Sequence, residues 1–320
     1  MNTRHIRDYG IVIGRMPTGT RNKISDVPGV TVGHYTLADE RHNTGFTVIL
    51  PAPGNLFADK VTAAAHVING FGKTCGTVQV NELGTIETPI ALTNTLNVGK
   101  TADALVGYTL EQCRRDGVPC FSVNPVVGET NDAGLNDIAD RALGEEAVRY
   151  AIDHASADFD EGDVGAGRGT SCFGLKGGIG SSSRLLTTLD ERVYTVGALV
   201  QSNFGKTSDL RIDGRPVGQR ILEKTRTEPA PADRGSIMIV VATDVPLSEL
   251  QLGRVLRRAE VGLVRTGSFI GHGSGTWCSA SRLPTVIDGT MDGSAPCRRW
   301  TTGIWTRSSV PLQKRWRKPF

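Results

Sequence analysis

The chain has 320 residues with 36 basic and 33 acidic side chains, a net charge of +3, which leaves no charge excess for a dominant nucleic-acid-binding face. An apolar fraction of 38% together with 39 glycines suits a globular protein, and no apolar run approaches the ~18–20 residues that span a bilayer. The opening MNTRHIRDYGIVIG lacks a leader-type apolar stretch, and the six cysteines (75, 113, 120, 172, 278 and 297) form no CxxC pair. The expectation is a soluble cytoplasmic protein with reduced thiols, bound to neither nucleic acid nor membrane.

In chain order, β-rich runs fall at 46–50 (FTVIL), 76–80 (GTVQV), 193–200 (VYTVGALV) and 236–243 (SIMIVVAT), and these predict strands. Helix-like segments fall between them at 101–115 and 144–154. The clearest predicted helix covers 248–263. It opens on a Ser248-x-x-Gln251 capping box and places Leu252, Leu256, Ala259 and Leu263 on one face. Strands and helices in one Gly-rich chain, with no linker or repeat, predict a layered α/β unit over residues 1–275.

Familiar chemical motifs fail on spacing. Gly72-Lys73-Thr74 would close a phosphate loop only with glycine at 67, where Val67 stands. Gly165-x-Gly167-x-Gly169 misses the dinucleotide fingerprint, Gly271-His272-Gly273-Ser274-Gly275 misses the nucleophile elbow, and the six histidines show no metal-ligand pairing. No cofactor and no metal are expected.

The informative step is Gly235-Ser236 at the head of the strand run 236–243. Such a step commonly marks a turn feeding a core strand. It also suits self-cleavage: glycine lets the backbone distort, the serine hydroxyl attacks the preceding carbonyl, and an N→O acyl shift followed by hydrolysis cuts the chain. The freed α-amine, with an ordinary pKa of ~7.7–8.0, could then act as base to its own hydroxyl.

Several blocks occur in order around that step. They are 22–30 (NKISDVPGV) with Val32-Gly33-His34, 125–132 (PVVGETND) with Leu135-Asn136-Asp137, 173–180 (FGLKGGIG), 200–205 (VQSNFG), the Gly235-Ser236 strand, and Arg265-Thr266-Gly267-Ser268. Over about residues 8–275 the chain resembles the L-aminopeptidase/D-Ala-esterase/amidase family, which includes the β-peptidyl aminopeptidases. The resemblance implies an α/β four-layer αββα sandwich of the N-terminal-nucleophile type. It also implies cleavage at 235/236 into α and β chains, assembly of the cleaved units into a homo-oligomer, and cofactor-free release of N-terminal residues from amides, esters or short peptides. Carried over by motif, Ser236 is the nucleophile, Asn203 an oxyanion donor and Ser274 a second active-site serine. Glu129 is either an anchor for the substrate ammonium or a member of a structural salt bridge. Asn131 borders the substrate, at a position that is aromatic in some relatives. The residue two places after Ser274, acidic in relatives, is Thr276 here. Two rival readings are an uncleaved, inactive relative and an acyltransferase of the ornithine acetyltransferase type, whose usual nucleophile is threonine.

Composition breaks at Thr276. All four tryptophans (277, 300, 305 and 316) lie beyond it, with eight basic residues and only Asp288 and Asp292 as acids. One reading is a basic arm that binds nucleic acid or acidic membrane. Another is a shifted reading frame. Codons for 276–281 (TWCSAS), read from the third base, permit Val-Val-Leu-Gly-Phe, an apolar strand such as the family places there. One G restored ahead of codon 276 also recovers an aspartate. The sequence therefore predicts a hydrolase domain over 1–275 and an out-of-frame tail over 276–320.

Overall fold

The computed structural model describes residues 5–226 and 235–282. Its first half runs β1 (Thr31–Ala38), β2 (Asn43–Leu50), β3 (Val61–Gly70), α1 (Thr77–Leu83), β4 (Thr85–Ile86), β5 (Ile90–Asn94), α2 (Val98–Arg115), β6 (Val126–Thr130) and α3 (Glu145–Asp153). The second half adds β7 (Ser171–Cys172), β8 (Leu175–Lys176), β9 (Gly178–Thr187), β10 (Val193–Asn203), α4 (Val217–Thr225), β11 (Ser236–Thr243), α5 (Glu249–Leu256), α6 (Ala259–Arg265) and β12 (Gly275–Arg282).

Two sheets carry the fold, one ordered β1-β2-β5-β6 and the other β4-β3-β12-β11-β10-β9. Strand alternation sorts their side chains into three apolar layers. Val32, Ile49, Leu92 and Val126 of the first sheet meet Leu199, Met238, Val240 and Trp277 of the second in the central layer. The opposite faces are covered by helices. Phe46, Val48 and Val127 pack on Ala104, Leu105, Val148 and Ala151 of α2 and α3, and Ile237, Ile239 and Cys278 pack on Leu252, Leu256 and Leu263 of α5 and α6. This is the αββα sandwich expected from the sequence. It also explains why β11 is buried at every residue: one face meets a sheet and the other meets helices. The sheets come close where Gly128 faces Met238, since a Cβ at 128 would lie 2.9 Å from the Met238 sulfur. The buried Gln201 amide also spans them, donating to Thr93 O (3.2 Å), Thr130 Oγ1 (2.8 Å) and Ala166 O (2.9 Å).

Two local expectations need correction. Segment 76–80 is not a strand but the start of α1. Gly76 (φ 90°) and Gly84 (φ 67°) bracket it, and its alternating valines split between buried Val80 and exposed Val78. The single helix over 248–263 is two helices. The capping box at Ser248 and Gln251 forms as expected, but the ladder tightens where Arg258 N–H donates to Val255 O (2.9 Å), a 3₁₀-type step that turns the chain.

The boundary placed at 275/276 falls inside β12, whose backbone lies between β3 and β11. Trp277 is 2% exposed there, yet its indole N–H and the buried Ser279 hydroxyl find no hydrogen-bond partner among the described residues. Residues 283–320, and with them three of the four tryptophans, lie outside the described residues. Among the described residues, no helix is long and apolar enough to cross a membrane.

Candidate active site

Ser236 opens β11, and its even parity with Met238 and Val240 turns its side chain toward the space between the sheets. It is 8% exposed. Gly235 before it has no room for a side chain: a Cβ would fall 2.1 Å from Asn203 O and 2.2 Å from Phe204 Cα. The junction is thus pressed against the end of β10, where Asn203 pairs directly with Ser236 across the antiparallel ladder.

The Asn203 amide is held at both ends. Its Oδ1 accepts from Ser171 N–H (2.9 Å) and its Nδ2 donates to Asn131 O (2.8 Å), so the orientation of the amide is fixed and a second N–H remains to offer. Asn131 enters the site through this backbone carbonyl. Its own side chain is exposed and curls back to accept from Ala133 N–H (3.0 Å).

Ser274 lies in the turn before β12. The next peptide N–H, that of Gly275, donates to Ser236 Oγ (3.3 Å), while the Ser274 hydroxyl pairs with that of Thr276 at 3.0 Å. Glu129, 2% exposed at the end of β6, accepts from Lys73 N–H (2.9 Å) and from the Thr95 hydroxyl. Gly72 links it to the serine. A Cβ at 72 would lie 3.4 Å from Glu129 Oε1 and 3.5 Å from Gly275 Cα. The glycines at 70, 72 and 275 line a cavity of about 80 Å³ whose other walls include Val67, Asn69, Met238 and Trp277.

The structure therefore gathers Ser236, Asn203, Ser274 and Glu129 around one point, with Asn131 behind Asn203. Two further groups join them: Gly72, weighed from the sequence only as the end of a phosphate loop, and Asn69, for which the sequence carries no signal. Asn69 Nδ2 donates to the carbonyls of Gly271 (3.3 Å), His272 (3.0 Å) and Ser274. The block Asn131-Asp132…Asn136 acts as a brace: the Asp132 carboxylate accepts from Thr44 Oγ1 (2.5 Å) and Asn136 Nδ2 (3.0 Å). Burial pushes its pKa up, and those hydrogen bonds work against the shift.

The sequence profile of peptidase family S58 matches residues 22–282. The chain belongs to peptidase family S58. The β-peptidyl aminopeptidase BapA of Sphingosinicella xenopeptidilytica is 38% identical over 317 residues, covering 89% of this chain and 78% of the relative. Among solved structures, a Burkholderia sp. β-aminopeptidase is 40% identical with a TM-score of 0.79, covering 90% of this chain and 82% of its own. The L-aminopeptidase D-Ala-esterase/amidase of Ochrobactrum anthropi is 34% identical with a TM-score of 0.78, over 86% of this chain and 77% of its own. That enzyme is described as a prototype for the serine aminopeptidases and a variant of the Ntn hydrolase fold. This S58 chain thus shares the Ntn-type fold and belongs among the aminopeptidase hydrolases.

Proposed function

We propose that this S58 chain is a self-cleaving aminopeptidase whose nucleophile is Ser236. The observation that carries the reading is the register of β10 and β11, which sets Asn203 opposite Ser236 while Gly275 N–H meets the serine hydroxyl. In maturation, Ser236 Oγ attacks the Gly235 carbonyl, the Gly235–Ser236 amide becomes an ester, and water releases the α chain. The new α-amine then takes the hydroxyl proton as Ser236 attacks a substrate amide or ester. Asn203 donates its second N–H to the developing oxyanion, Ser274 orients the nucleophile, and water frees the acyl-enzyme. Glu129 anchors the substrate ammonium beside Gly72, and Asn131 borders the bound residue. Free N-terminal residues on amides, esters or short peptides are the substrates, and the cleaved units assemble as a homo-oligomer.

The test is an intact mass of the denatured protein. Fragments of 235 and 85 residues, absent in Ser236→Ala, are expected. A single uncleaved species in the wild type would overturn the self-cleavage. The second reading, an out-of-frame tail, is favoured by the Trp277 and Ser279 polar atoms, which have no partner among the described residues although they sit in a central strand. It predicts the 235-residue fragment with a partner heavier than 85 residues when the native gene is expressed.

A further inference from the structure

One peptide group touches both Asn69 and the nucleophile proposed above. The Ser274 carbonyl accepts from Asn69 Nδ2, and the N–H of the same peptide, on Gly275, donates to Ser236 Oγ at 3.3 Å. Asn69 also donates toward the Gly271 and His272 carbonyls, so its amide spans the whole turn that precedes β12. Because all three partners are carbonyl oxygens, only the NH₂ end of the amide can face them.

The backbone explains how Asn69 gets there. Pairing of β12 with β3 runs Gly275↔Gly70 and Thr276↔Asn69, then jumps to Trp277↔Val67. Ile68 is left over as a bulge, the device by which a strand re-aims a side chain. The Gly271–Ser274 turn has one internal backbone hydrogen bond, Ser274 N–H to Gly271 O (2.9 Å). A turn with so little internal support needs an outside clamp to fix the direction of its last peptide.

We infer that Asn69 is a positioning residue for Ser236, holding and polarising the Ser274–Gly275 peptide so that its N–H addresses the nucleophile. A hydrogen bond at the carbonyl strengthens the N–H of the same peptide as a donor. It also fixes an atom whose displacement by about 1 Å costs up to roughly 100-fold in rate. The role rests on Ser236 being the nucleophile.

The test uses the full chain as Asn69→Asp and Asn69→Ala, with Ser236→Ala in parallel. Circular dichroism and the thermal midpoint report folding, intact mass reports cleavage, and kcat and KM are measured separately on the cleaved fraction. Asn69→Asp keeps the shape and loses the donor. We expect slower cleavage and kcat lower by roughly 10- to 100-fold with KM within about threefold. Three facing carbonyls raise the pKa of the introduced carboxyl, and once protonated it regains one O–H donor. The ratio of Asn69→Asp to wild-type kcat therefore rises as pH falls, whereas Asn69→Ala shows no such recovery.

A kcat within twofold of wild type in Asn69→Asp, or a flat ratio across pH, overturns the proposal. So does loss of folding in both variants, which would make Asn69 a structural strut. If Ser236→Ala cleaves and turns over normally, the nucleophile assignment falls and takes this role with it. If Ser236→Ala is inert while Asn69→Asp is unimpaired, the positioning role alone falls.

Discussion

Gly72 and Gly275 meet backbone to backbone beside the candidate nucleophile: a Cβ on Gly275 would lie 2.7 Å from Gly72 Cα and 3.4 Å from Ser236 Oγ. Two separate chain segments, the exit from β3 and the entry to β12, close on each other there with no side chain between them. Even one methyl group must push them apart. Overpacking of this kind costs about 1–3 kcal/mol, and here the displaced peptide is the one whose N–H reaches Ser236. Gly275→Ala is expected to abolish cleavage at 235/236 while the chain still folds. Gly273→Ala, two residues away with open space around it, should cleave normally. Equal behaviour of the two variants in an intact-mass assay would refute the argument.

Glu129→Gln separates charge from shape. The glutamine retains an acceptor for Lys73 N–H and a group for the Thr95 hydroxyl to meet, but it cannot neutralise an ammonium. Hydrogen bonds to charged groups contribute about 1.5–3 kcal/mol, so KM for substrates with a free α-amine should rise by roughly 10- to 100-fold. Cleavage at 235/236, which involves no substrate amine, should persist. An unchanged KM would remove Glu129 from substrate binding.

Strand β12 offers a stability test. The Ser279 hydroxyl is fully buried and lacks a partner among the described residues, and such a group destabilises a fold by its lost hydration. Ser279→Ala is expected to raise unfolding free energy by about 1 kcal/mol, read by denaturant titration. Sequencing of the gene over codons 270–280 addresses the same strand from the other side. The out-of-frame reading expects one additional base ahead of codon 276, and confirmation of the written frame in independent genomic reads would exclude a sequencing error.

His34 sets a pH dependence. It lies between Thr47 Oγ1 (2.9 Å) and the Asp160 carbonyl (3.0 Å), and burial pushes its pKa down to about 4, against the smaller upward pull of Asp160. Between about 4 and the ordinary 6.5 the unfolded chain binds a proton that the folded chain refuses. Stability therefore falls as pH drops through that window, by up to about 3 kcal/mol in all. His34→Gln should flatten this segment of the pH–stability curve. A curve parallel to wild type would assign the loss to other groups.

The architecture was legible because short, near-continuous apolar runs such as SIMIVVAT and FTVIL mark strands buried on both faces, and the capping box at Ser248 is local. Segment 76–80 misled because a two-turn helix between two left-handed glycines leaves too few residues for a helical period to register. Ser236, Asn203 and Glu129 could be named because each stands in a recognisable block, and Ser274 because it follows the last of those blocks by a few residues. Asn69 could not. Its partners are more than 200 positions away in sequence, and only a bulge in one strand brings them together. Asn131 was named for its side chain, but its carbonyl makes the contact to Asn203.

The position of β12 has a bearing on the order of events during synthesis. Within its sheet, this strand alone connects the β4–β3 side to the β11–β10–β9 side, yet it is the last of the described strands to be translated. Both flanks are made earlier and must wait, unjoined, until residues 275–282 leave the ribosome. The Gly275 N–H that reaches Ser236 arrives with the same stretch. A nascent chain stalled before that point would hold the Gly235–Ser236 bond but not the neighbour that engages its hydroxyl. On the reading proposed above, the order of translation would leave the serine without its Gly275 contact until the sheet around it can close.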